Sequence, residues 1–525
     1  MVRPRHHDRK EEGRTRASGA VLGDGPTRAL LIRLGQKLST SGLQHRLKPV
    51  PRLLQHFAVI GTPSDKPLAV AGAPSNKQLA VVGAPSDKPL AVPGAPSNKQ
   101  LAIVGAPSIA QLGVTDAPSN KHFAVARGTG FSLCFWLTLL SLPFRLSGAV
   151  KNGIDVLIEQ DFAPLAGKRI GLITNHSGLT YDGRRTIDVL ANSGKVKLVA
   201  IFTPEHGLTG GREGESVAPG KDAATGLPVY SLYQEKTRRP TPEMLHGLDA
   251  LVYDIQDAGA RFYTYITTLG YTLEEAGRNH LAYYVLDRPN PIGGVAVEGP
   301  VLESKYFSMV GYMRMPIRHG MTVGELAQLF NGENKLGADL HVIAMQGWRR
   351  SMFFDETGQE WIEPSPNLRN LTEAILYPGT CLLESTQVSV GRGTDTPFQI
   401  VGAPWFQAKT VADWLNALRL PGVSFLARRF RPTAAPYKGQ ECEGVEVQLL
   451  DRQSINSVRT GLALVAAVLK FHPGKFDLDK TMRLLGSGDV AAGLKRGESL
   501  EAIEATFQPQ LREFLRVRER YLLYR

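Results

Sequence analysis

Residues 169–202 read RIGLITNHSGLTYDGRRTIDVLANSGKVKLVAIF, and this stretch decides the fold class. The apolar runs RIGLITN (169–175) and VKLVAIF (196–202) predict two buried strands. Between them, RRTIDVLANSG (184–194) has the apolar spacing of a helix and ends at a glycine. Strands that are apolar on both faces and alternate with helices predict a parallel sheet with helices on both sides.

The same alternation continues toward the C-terminus. We predict strands in PVYSLY, DALVYDIQD (249–257) and LAYYVLD (281–287), and helices in TPEMLHGL and YITTLGYTLEEAGRNH (265–280). Residues 150–318 are therefore predicted to form a doubly wound α/β domain. Residues 319–525 are predicted to form a second, smaller α+β domain, with helices in MTVGELAQLFN, capped by Thr322, and in SVRTGLALVAAVLKFH (457–472).

The N-terminal segment repeats a unit of 11 residues, as in GTPSDKPLAVA, GAPSNKQLAVV, GAPSDKPLAVP and GAPSNKQLAIV. Each unit holds proline, glycine and serine and only a short apolar triplet, too little to bury a core. We therefore expect residues 1–124 to be a disordered repeat segment.

Residues 125–149 are typical of a signal peptide. The apolar stretch Phe131 to Leu142 is too short to span a bilayer, Arg127 precedes it, and Ser147 and Ala149 suit a cleavage site. Since a signal peptide cannot act behind so long a tail, we expect translation to begin near Val125 and the mature chain to be exported to the periplasm or the medium. The alternative is a genuine disordered arm followed by a membrane-proximal helix.

The charge of the chain is divided unevenly. The 525 residues hold 61 Lys and Arg against 49 Asp and Glu, a net charge of +12. Counting along the sequence gives 19 basic and 7 acidic side chains in residues 1–149, which leaves 42 of each in residues 150–525. The basic excess lies outside the part predicted to fold, so no nucleic-acid partner is expected. With only Cys134, Cys381 and Cys442, a disulfide scaffold and a cysteine zinc site are not expected, although one Cys381–Cys442 bridge stays open.

Polar residues follow four predicted strands at their carboxyl ends, where open α/β sheets bind ligands. The strands end in TNHSG (174–178), TPEHG (203–207), DIQDAGARFYTY (254–265) and DRPNP (287–291). This predicts a polar cleft that collects Asn175, His176, Glu205, His206, Asp254, Gln256, Asp257, Arg261, Asp287, Arg288 and Asn290. The loops WIEPSPN (361–367) and SVGRGTDTPF (389–398) are expected to form a facing wall, and the aromatic residues Tyr263, Tyr265, Trp361 and Trp405 are candidates for stacking on a sugar ring.

Structural roles are open for several of these residues. Asp287 and Asn290 stand beside proline and suit turn caps, and Arg261 suits an ion pair with Asp254 or Asp257. Glu205 is different, because a carboxylate directly after an apolar strand and before a Gly-rich stretch has no evident capping role. We therefore predict that Glu205 is catalytic.

Other chemistries lack their motifs. The chain has no GxGxxG after the first strand, no GxxxxGK[ST] and no GxSxG, and TPEHG lacks the spacing of the HExxH zinc motif. No cofactor and no metal are therefore expected.

From residue 151 onward the chain resembles the exo-β-N-acetylmuramidase family, long catalogued as a domain of unknown function. The resemblance is carried, in order, by TNHSG, TPEHGLTGG, GLPVYSLY, YDIQDAGARFYTYI, LDRPNPIGG, EGPVL, RHGMTVGELAQLFN, PSPNL, YPGTCLLEST, SVGRGTDTPF and GAPW. It implies a Rossmann-like domain, a smaller C-terminal domain and a cleft between them. It also implies release of N-acetylmuramic acid from the non-reducing end of peptidoglycan fragments, with Glu205 as the catalytic acid.

The implied reaction assigns roles to the other polar residues. A second catalytic group is needed, for which Asp254, Asp257 and His206 are candidates, and retention and inversion both stay open. The lactyl carboxylate of muramic acid calls for a cation, for which we name Arg261, Arg288 and Arg392. Asn175, His176, Gln256, Tyr265 and Asn290 are the other candidates for substrate binding, and the expected partners are peptidoglycan-derived disaccharides or muropeptides, with no stable membrane insertion.

Two other functions stay open from the residues alone. A non-catalytic periplasmic sugar-binding protein also has α/β lobes around a cleft, but it needs no unpaired acid. A hydrolase or lyase that acts on the lactyl ether would use the same cation and acid.

Overall fold

The structure is a computed structural model, and it describes residues 149–211, 220–234 and 238–525 together with three short strands near the N-terminus. The described residues from 149 onward belong to one compact unit. Its main sheet consists of β4 (Arg169–Thr174), β5 (Lys197–Thr203), β6 (Gly220–Lys221), β7 (Pro228–Ser231), β8 (Ala250–Asp254), β9 (Ala282–Leu286) and β10 (Asp339–Ile343).

The three N-terminal strands lie in the repeat. They are β1 (Ala58–Ile60), β2 (Leu79–Val82) and β3 (Leu101–Val104), and they form a parallel sheet in that order. Ala58, Ala80 and Ala102 pair in register, so successive strands lie two repeat units apart. The disorder of residues 1–124 as a whole stays a prediction. The signal-peptide interpretation of residues 125–148 concerns residues outside those that the structure describes.

The strand order of the main sheet positions the site. The order is β10-β9-β8-β4-β5-β7-β6, and β6 is antiparallel to β7 while the other pairs are parallel. The chain starts at β4, runs outward through β5 to β7, and then returns to β8 on the other side of β4. The loops after β4 and β8 therefore leave in opposite directions, and an open α/β sheet binds ligands at such a switch point.

Helices cover both faces of this sheet, because the side chains of each strand alternate between two cores. On one face, helices α1 (Gly153–Glu159) and α2 (Thr186–Ala191) pack with Ile170 and Leu172 of β4. On the other face, α3 (Pro242–Leu245), α4 (Thr264–Arg278) and α5 (Val323–Glu333) pack in the core that contains Ile173. The prediction of a mostly parallel sheet between helices is confirmed, including the cap of α5 by Thr322.

From residue 371 onward, which we call the C-terminal part, the described residues contain a small antiparallel sheet and six α-helices. The strands are β11 (Ile400–Ala403), β12 (Val423–Phe430) and β13 (Cys442–Leu449), in the order β11-β13-β12. The helices are α6 (Leu371–Thr380), α7 (Ala408–Ala417), α8 (Ser457–Phe471), α9 (Met482–Leu485), α10 (Gly488–Arg496) and α11 (Leu500–Glu519). Both the sheet and the helices fit the predicted α+β character of this part.

The two parts share one apolar core. Leu269 of α4 and Phe330 of α5 belong to the same buried cluster as Leu462 of α8. Strand β10 also lies beyond residue 318, where we had placed the domain boundary. Its sequence DLHVI contains polar residues because β10 is an edge strand, which explains why an apolar run did not reveal it.

Two further findings concern cysteine and membranes. Cys381 and Cys442 are both buried and free, so the bridge that we left open is not formed. None of the helices in the described residues is long and apolar enough to cross a membrane.

Candidate active site

Glu205 lies at the carboxyl end of β5 and is half-buried. His206 and Gly207 both have a φ of 68°, so the chain makes a tight turn directly after the acid. Oε2 of Glu205 accepts a hydrogen bond of 2.7 Å from the hydroxyl of Thr264, the first residue of α4. The predicted catalytic acid therefore has a positioning partner at the N-terminus of a long helix.

Asn175 and His176 follow β4 and lie beside the Glu205 loop. The Asn175 Oδ1 atom accepts hydrogen bonds from the backbone NH and the hydroxyl of Ser177, which fixes the amide group. Its Nδ2 is buried and has no hydrogen-bond partner in the protein. A fixed, unsatisfied donor at the end of β4 is suited to a polar substrate group.

The His176 imidazole connects three segments of the site. Its Nε2 lies 2.7 Å from the carbonyl oxygen of Glu363, and burial is the main reason why its pKa is lowered. Gly210, which follows Glu205 in the same loop, packs on the imidazole so closely that a Cβ there would lie 2.1 Å from Cε1. The φ of Gly210 is +73°, so both the contact and the backbone require glycine.

Tyr263 and Tyr265 flank Thr264 and are both buried, so neither ring is exposed for the predicted stacking on a sugar. Tyr265 is fully buried, its hydroxyl donates a 2.8 Å hydrogen bond to the carbonyl of Pro364, and its ring lies 4.7 Å from that of Tyr263, edge to face. The ring of His206 lies 6.4 Å from Tyr265, also edge to face. The contacts of Glu363 and Pro364 place the predicted EPSPN wall against the loops of the sheet.

Tyr233 and Arg238, which follow β7, are site residues that the sequence analysis missed. The Arg238 guanidinium lies 4.2 Å from the centre of the Tyr233 ring. Burial raises the pKa of the Tyr233 hydroxyl, Arg238 lowers it, and the nearby charge of Glu205 raises it further. The sequence signal for these residues was the pair Arg238–Arg239 after β7. Its meaning depends on the strand order, which places β7 next to β5.

Asp254 and Arg288 pair with each other inside the protein. Arg288 donates to both carboxylate oxygens of Asp254, from Nε at 2.6 Å and from Nη2 at 3.0 Å. The Thr186 hydroxyl donates to the same carboxylate, and Arg288 also donates to the carbonyl of Leu179. Asp254 is 0% exposed and Arg288 is 3% exposed, so the two form a buried ion pair, which is a structural role for both residues.

Asp257 keeps an oxygen without a partner. Its Oδ2 accepts a 2.8 Å hydrogen bond from the NH of Gly259 and lies 3.4 Å from Nε2 of His319, whereas its Oδ1 is buried and unpaired. The Nδ1 of His319 accepts from the NH of Met321. Of the two aspartates predicted as the second catalytic group, Asp257 is therefore the one with free hydrogen-bonding capacity.

Three other predicted binding residues bond to the backbone. Gln256 donates to the carbonyls of Asp257 and Pro289, and Asn290 donates to the carbonyl of Met321 and accepts from Ile292, which is the turn-capping role. Arg261 is 0% exposed and donates to the carbonyls of Pro300, Met315 and Leu484, and burial lowers its pKa to about 9. The ion pair with Asp254 or Asp257 that the sequence suggested is not formed, because the guanidinium of Arg261 donates to backbone carbonyls instead.

The remaining predicted residues pack against other side chains within the protein. Arg392 pairs with Glu384 and lies 5.6 Å from the ring of Phe398. Trp361 packs on Phe354 and donates to the carbonyl of Leu368, and Trp405 donates to the hydroxyl of Tyr437. Within the described residues, no group of three or more His, Cys, Asp or Glu side chains is placed to hold a metal ion.

Comparisons with known proteins identify the family. The family model described as "Exo-beta-N-acetylmuramidase NamZ, N-terminal" matches residues 170–372, and the model for the C-terminal part matches residues 375–524. The two models meet well beyond the predicted boundary at residue 318. A relative, the peptidoglycan beta-N-acetylmuramidase NamZ of Bacillus subtilis, is 43% identical over 379 residues, which are 71% of this chain and 91% of that protein.

Two crystal structures are also similar, both of DUF1343 family proteins from Bacteroides fragilis. The first has a TM-score of 0.67 and 39% identity, and the second has a TM-score of 0.59 and 31% identity. Each comparison covers 72% of this chain and 99% of the other chain. The resemblance found in the sequence is confirmed.

Proposed function

The chain belongs to the exo-β-N-acetylmuramidase NamZ family, a family of glycosidases, and from this premise we propose how its site works. It releases N-acetylmuramic acid from the non-reducing end of peptidoglycan fragments, and Glu205 is the general acid. The observation that carries this proposal is the half-buried Glu205 carboxylate, fixed by Thr264 where the loops after β4, β5, β7 and β8 meet.

Glu205 suits the chemistry of the leaving group. Glycosidic cleavage requires a proton on the departing oxygen, and a positioned carboxylic acid supplies it. Thr264 holds Oε2, so the orientation of the carboxyl group is fixed before the substrate binds. Asn175 and its unsatisfied Nδ2 offer a donor to the sugar from the neighbouring strand end.

Asp257 is the second carboxylate of the proposal. Its buried Oδ1 has no hydrogen-bond partner in the protein, whereas both oxygens of Asp254 are bound by Arg288, so Asp257 is the carboxylate that keeps the capacity to bind a water molecule or the substrate. As a base, Asp257 would give inversion, and as a nucleophile it would give retention. NMR of the anomeric proton of the first product distinguishes inversion from retention. The variant Asp257→Asn should lose turnover under either mechanism.

The test of the function compares two substrates. The protein is incubated with a muramic-acid-terminated disaccharide and with 4-nitrophenyl β-N-acetylmuraminide, and released N-acetylmuramic acid is measured. Glu205→Gln keeps the size of the side chain but cannot deliver a proton, so kcat on the disaccharide should fall by roughly 10²–10⁴. The fall should be smaller for the nitrophenyl substrate, because nitrophenolate leaves with little protonation.

Two outcomes would contradict the proposal. A folded Glu205→Gln variant with unchanged turnover of the disaccharide would remove Glu205 from the mechanism. Binding of the sugar by the wild-type protein without any turnover would favour a binding protein instead.

We also propose that the protein is exported. The support is the apolar stretch Phe131 to Leu142 between Arg127 and the small residues Ser147 and Ala149. N-terminal sequencing of the native protein should find a mature chain that begins near residue 150. A mature chain that begins upstream of about residue 140 would contradict this.

A further inference from the structure

The recognition of muramic acid requires a cation that the predicted arginines do not provide. Muramic acid differs from glucosamine by a lactyl ether at O3, which ends in a carboxylate, and a partly buried carboxylate needs a charged partner. Arg261 is fully buried among backbone carbonyls, Arg288 is bound to Asp254, and Arg392 is bound to Glu384. The cation must therefore come from another segment.

Arg238 has the required properties. Its guanidinium lies on the ring of Tyr233 at 4.2 Å, and its Nη1 is buried without a hydrogen-bond partner. Within the described residues it forms no ion pair, so its charge is not compensated there by a carboxylate. An arginine that is stacked, and thereby oriented, is suited to bind a carboxylate through two parallel hydrogen bonds.

Arg239 provides the contrast. It also stacks on a tyrosine, with its guanidinium 4.0 Å from the ring of Tyr271. Unlike Arg238, it pairs with Glu274 at 2.8 Å and with Glu275 at 3.3 Å. The two adjacent arginines therefore stack on tyrosine in the same way, but only the charge of Arg239 is neutralised by carboxylates among the described residues. Of the two, Arg238 is the one that can bind a further anion.

The position of Arg238 relative to the acid fits the sugar. The Arg238 guanidinium stacks on the ring of Tyr233, and the Tyr233 hydroxyl interacts electrostatically with both Arg238 and Glu205, so the cation and the acid both lie near one aromatic side chain. In a pyranose, C3 carries the lactyl ether and C1 carries the bond that is cleaved, and the two carbons are in a 1,3 relation. A sugar whose glycosidic oxygen faces Glu205 can thus direct its lactyl group toward Arg238.

We propose that Arg238, oriented by Tyr233, binds the lactyl carboxylate and makes the site selective for muramic acid over glucosamine units. This inference rests on the proposed function for its substrate. The carboxylate does not take part in bond cleavage, so its binding contributes equally to the ground state and the transition state. The effect of Arg238 therefore falls mainly on KM.

The experiment compares 4-nitrophenyl β-N-acetylmuraminide with its lactyl methyl ester. The wild-type protein should prefer the free acid by about 10- to 100-fold in kcat/KM, as expected for a charged hydrogen-bonded pair. Arg238→Met should process the acid and the ester equally, and Arg238→Lys should keep part of the preference. The matched control Arg239→Met should keep the wild-type ratio. A wild-type preference that persists in Arg238→Met would overturn the inference.

A binding measurement separates this inference from the proposed function. Calorimetry with free N-acetylmuramic acid and N-acetylglucosamine reads recognition without cleavage. In one outcome, the wild-type protein prefers muramic acid, Arg238→Met loses this preference, and neither protein cleaves the disaccharide. The inference then holds and the proposed function fails. If the wild-type protein cleaves the disaccharide and Arg238→Met still prefers muramic acid, only the inference fails.

Discussion

The hydroxyl of Thr264 donates a 2.7 Å hydrogen bond to Oε2 of Glu205, and this bond links segments that follow strands on either side of the central strand β4. Glu205 follows β5 and Thr264 follows β8, which lie on opposite sides of β4. The acid is thus held by both halves of the doubly wound sheet, at the point where the chain changes direction. This arrangement explains why the acid occurs in a short turn and yet has a fixed orientation.

Thr264→Val should reduce kcat on the natural disaccharide by about 10- to 100-fold, because the hydrogen bond that positions the acid is lost. Thr264→Ser retains the hydroxyl and should retain most of the activity. Steady-state kinetics of both variants, with melting temperatures as a control for folding, test the prediction. Equal kcat in Thr264→Val and the wild-type protein would show that the bond does not position the acid.

Asp254→Asn should destabilise the fold by about 3–5 kcal/mol, because the buried guanidinium of Arg288 loses its counter-charge. Urea unfolding measures the free energy of unfolding. The control Lys409→Ala breaks the exposed pair with Asp413 and should cost less than about 1 kcal/mol. A variant with wild-type stability but no activity would instead return Asp254 to the catalytic machinery.

The sequence predicted the elements that have strong local signals. The helices predicted at residues 265–280 and 457–472 were found because their apolar residues recur with a helical period, and strands β4, β5, β8 and β9 were found because each is a short apolar run. Glu205 was singled out as a candidate because a carboxylate after a buried strand lacks a local role, and its catalytic role stays a prediction. Strand β10 was missed because an edge strand carries polar residues.

The roles of the other polar residues depend on contacts between distant segments. Asp254 ends β8 and Arg288 follows β9, where ligand-binding residues often lie, and only the pairing of β8 with β9 shows that they satisfy each other. Arg261 follows β8 as well, but its guanidinium bonds to the carbonyl of Leu484, a contact that no local pattern indicates. Arg238 was missed because it lies in the segment after β7, and only the pairing of β7 with β5 brings that segment next to the strand that precedes Glu205.

Gly210→Ala should lower kcat/KM by roughly 10- to 100-fold, because the new Cβ would overlap the His176 ring and displace the loop that carries Glu205. Gly167→Ala is the matched control. Gly167 has a φ of +72°, close to the +73° of Gly210, but a Cβ at this position would have no atom within 4 Å. Both variants should lose stability, by roughly 1 kcal/mol, and only Gly210→Ala should lose activity. Equal kcat/KM values in the two variants would contradict the role of this contact.

Asp287 connects the sheet to the C-terminus. It is fully buried after β9, and its carboxylate accepts hydrogen bonds from the hydroxyls of Thr322 and Tyr524 and from the NH of Gly324. Burial raises its pKa to about 7 in spite of these hydrogen bonds, which lower it. In the unfolded chain the same carboxyl has its ordinary pKa, near 4.

This difference predicts a loss of stability as the pH rises. Below about pH 4 the carboxyl is protonated in both states, and its contribution to stability is complete. Between about pH 4 and 7 the unfolded chain releases the proton while the folded protein keeps it, so the free energy of unfolding should fall, by at most on the order of 4 kcal/mol. Asp287→Asn cannot titrate and should remove this fall, whereas the exposed Asp413→Asn should keep it. Urea unfolding at a series of pH values provides the measurement, and identical pH profiles for Asp287→Asn and the wild-type protein would show that Asp287 is already ionised in the folded state at low pH.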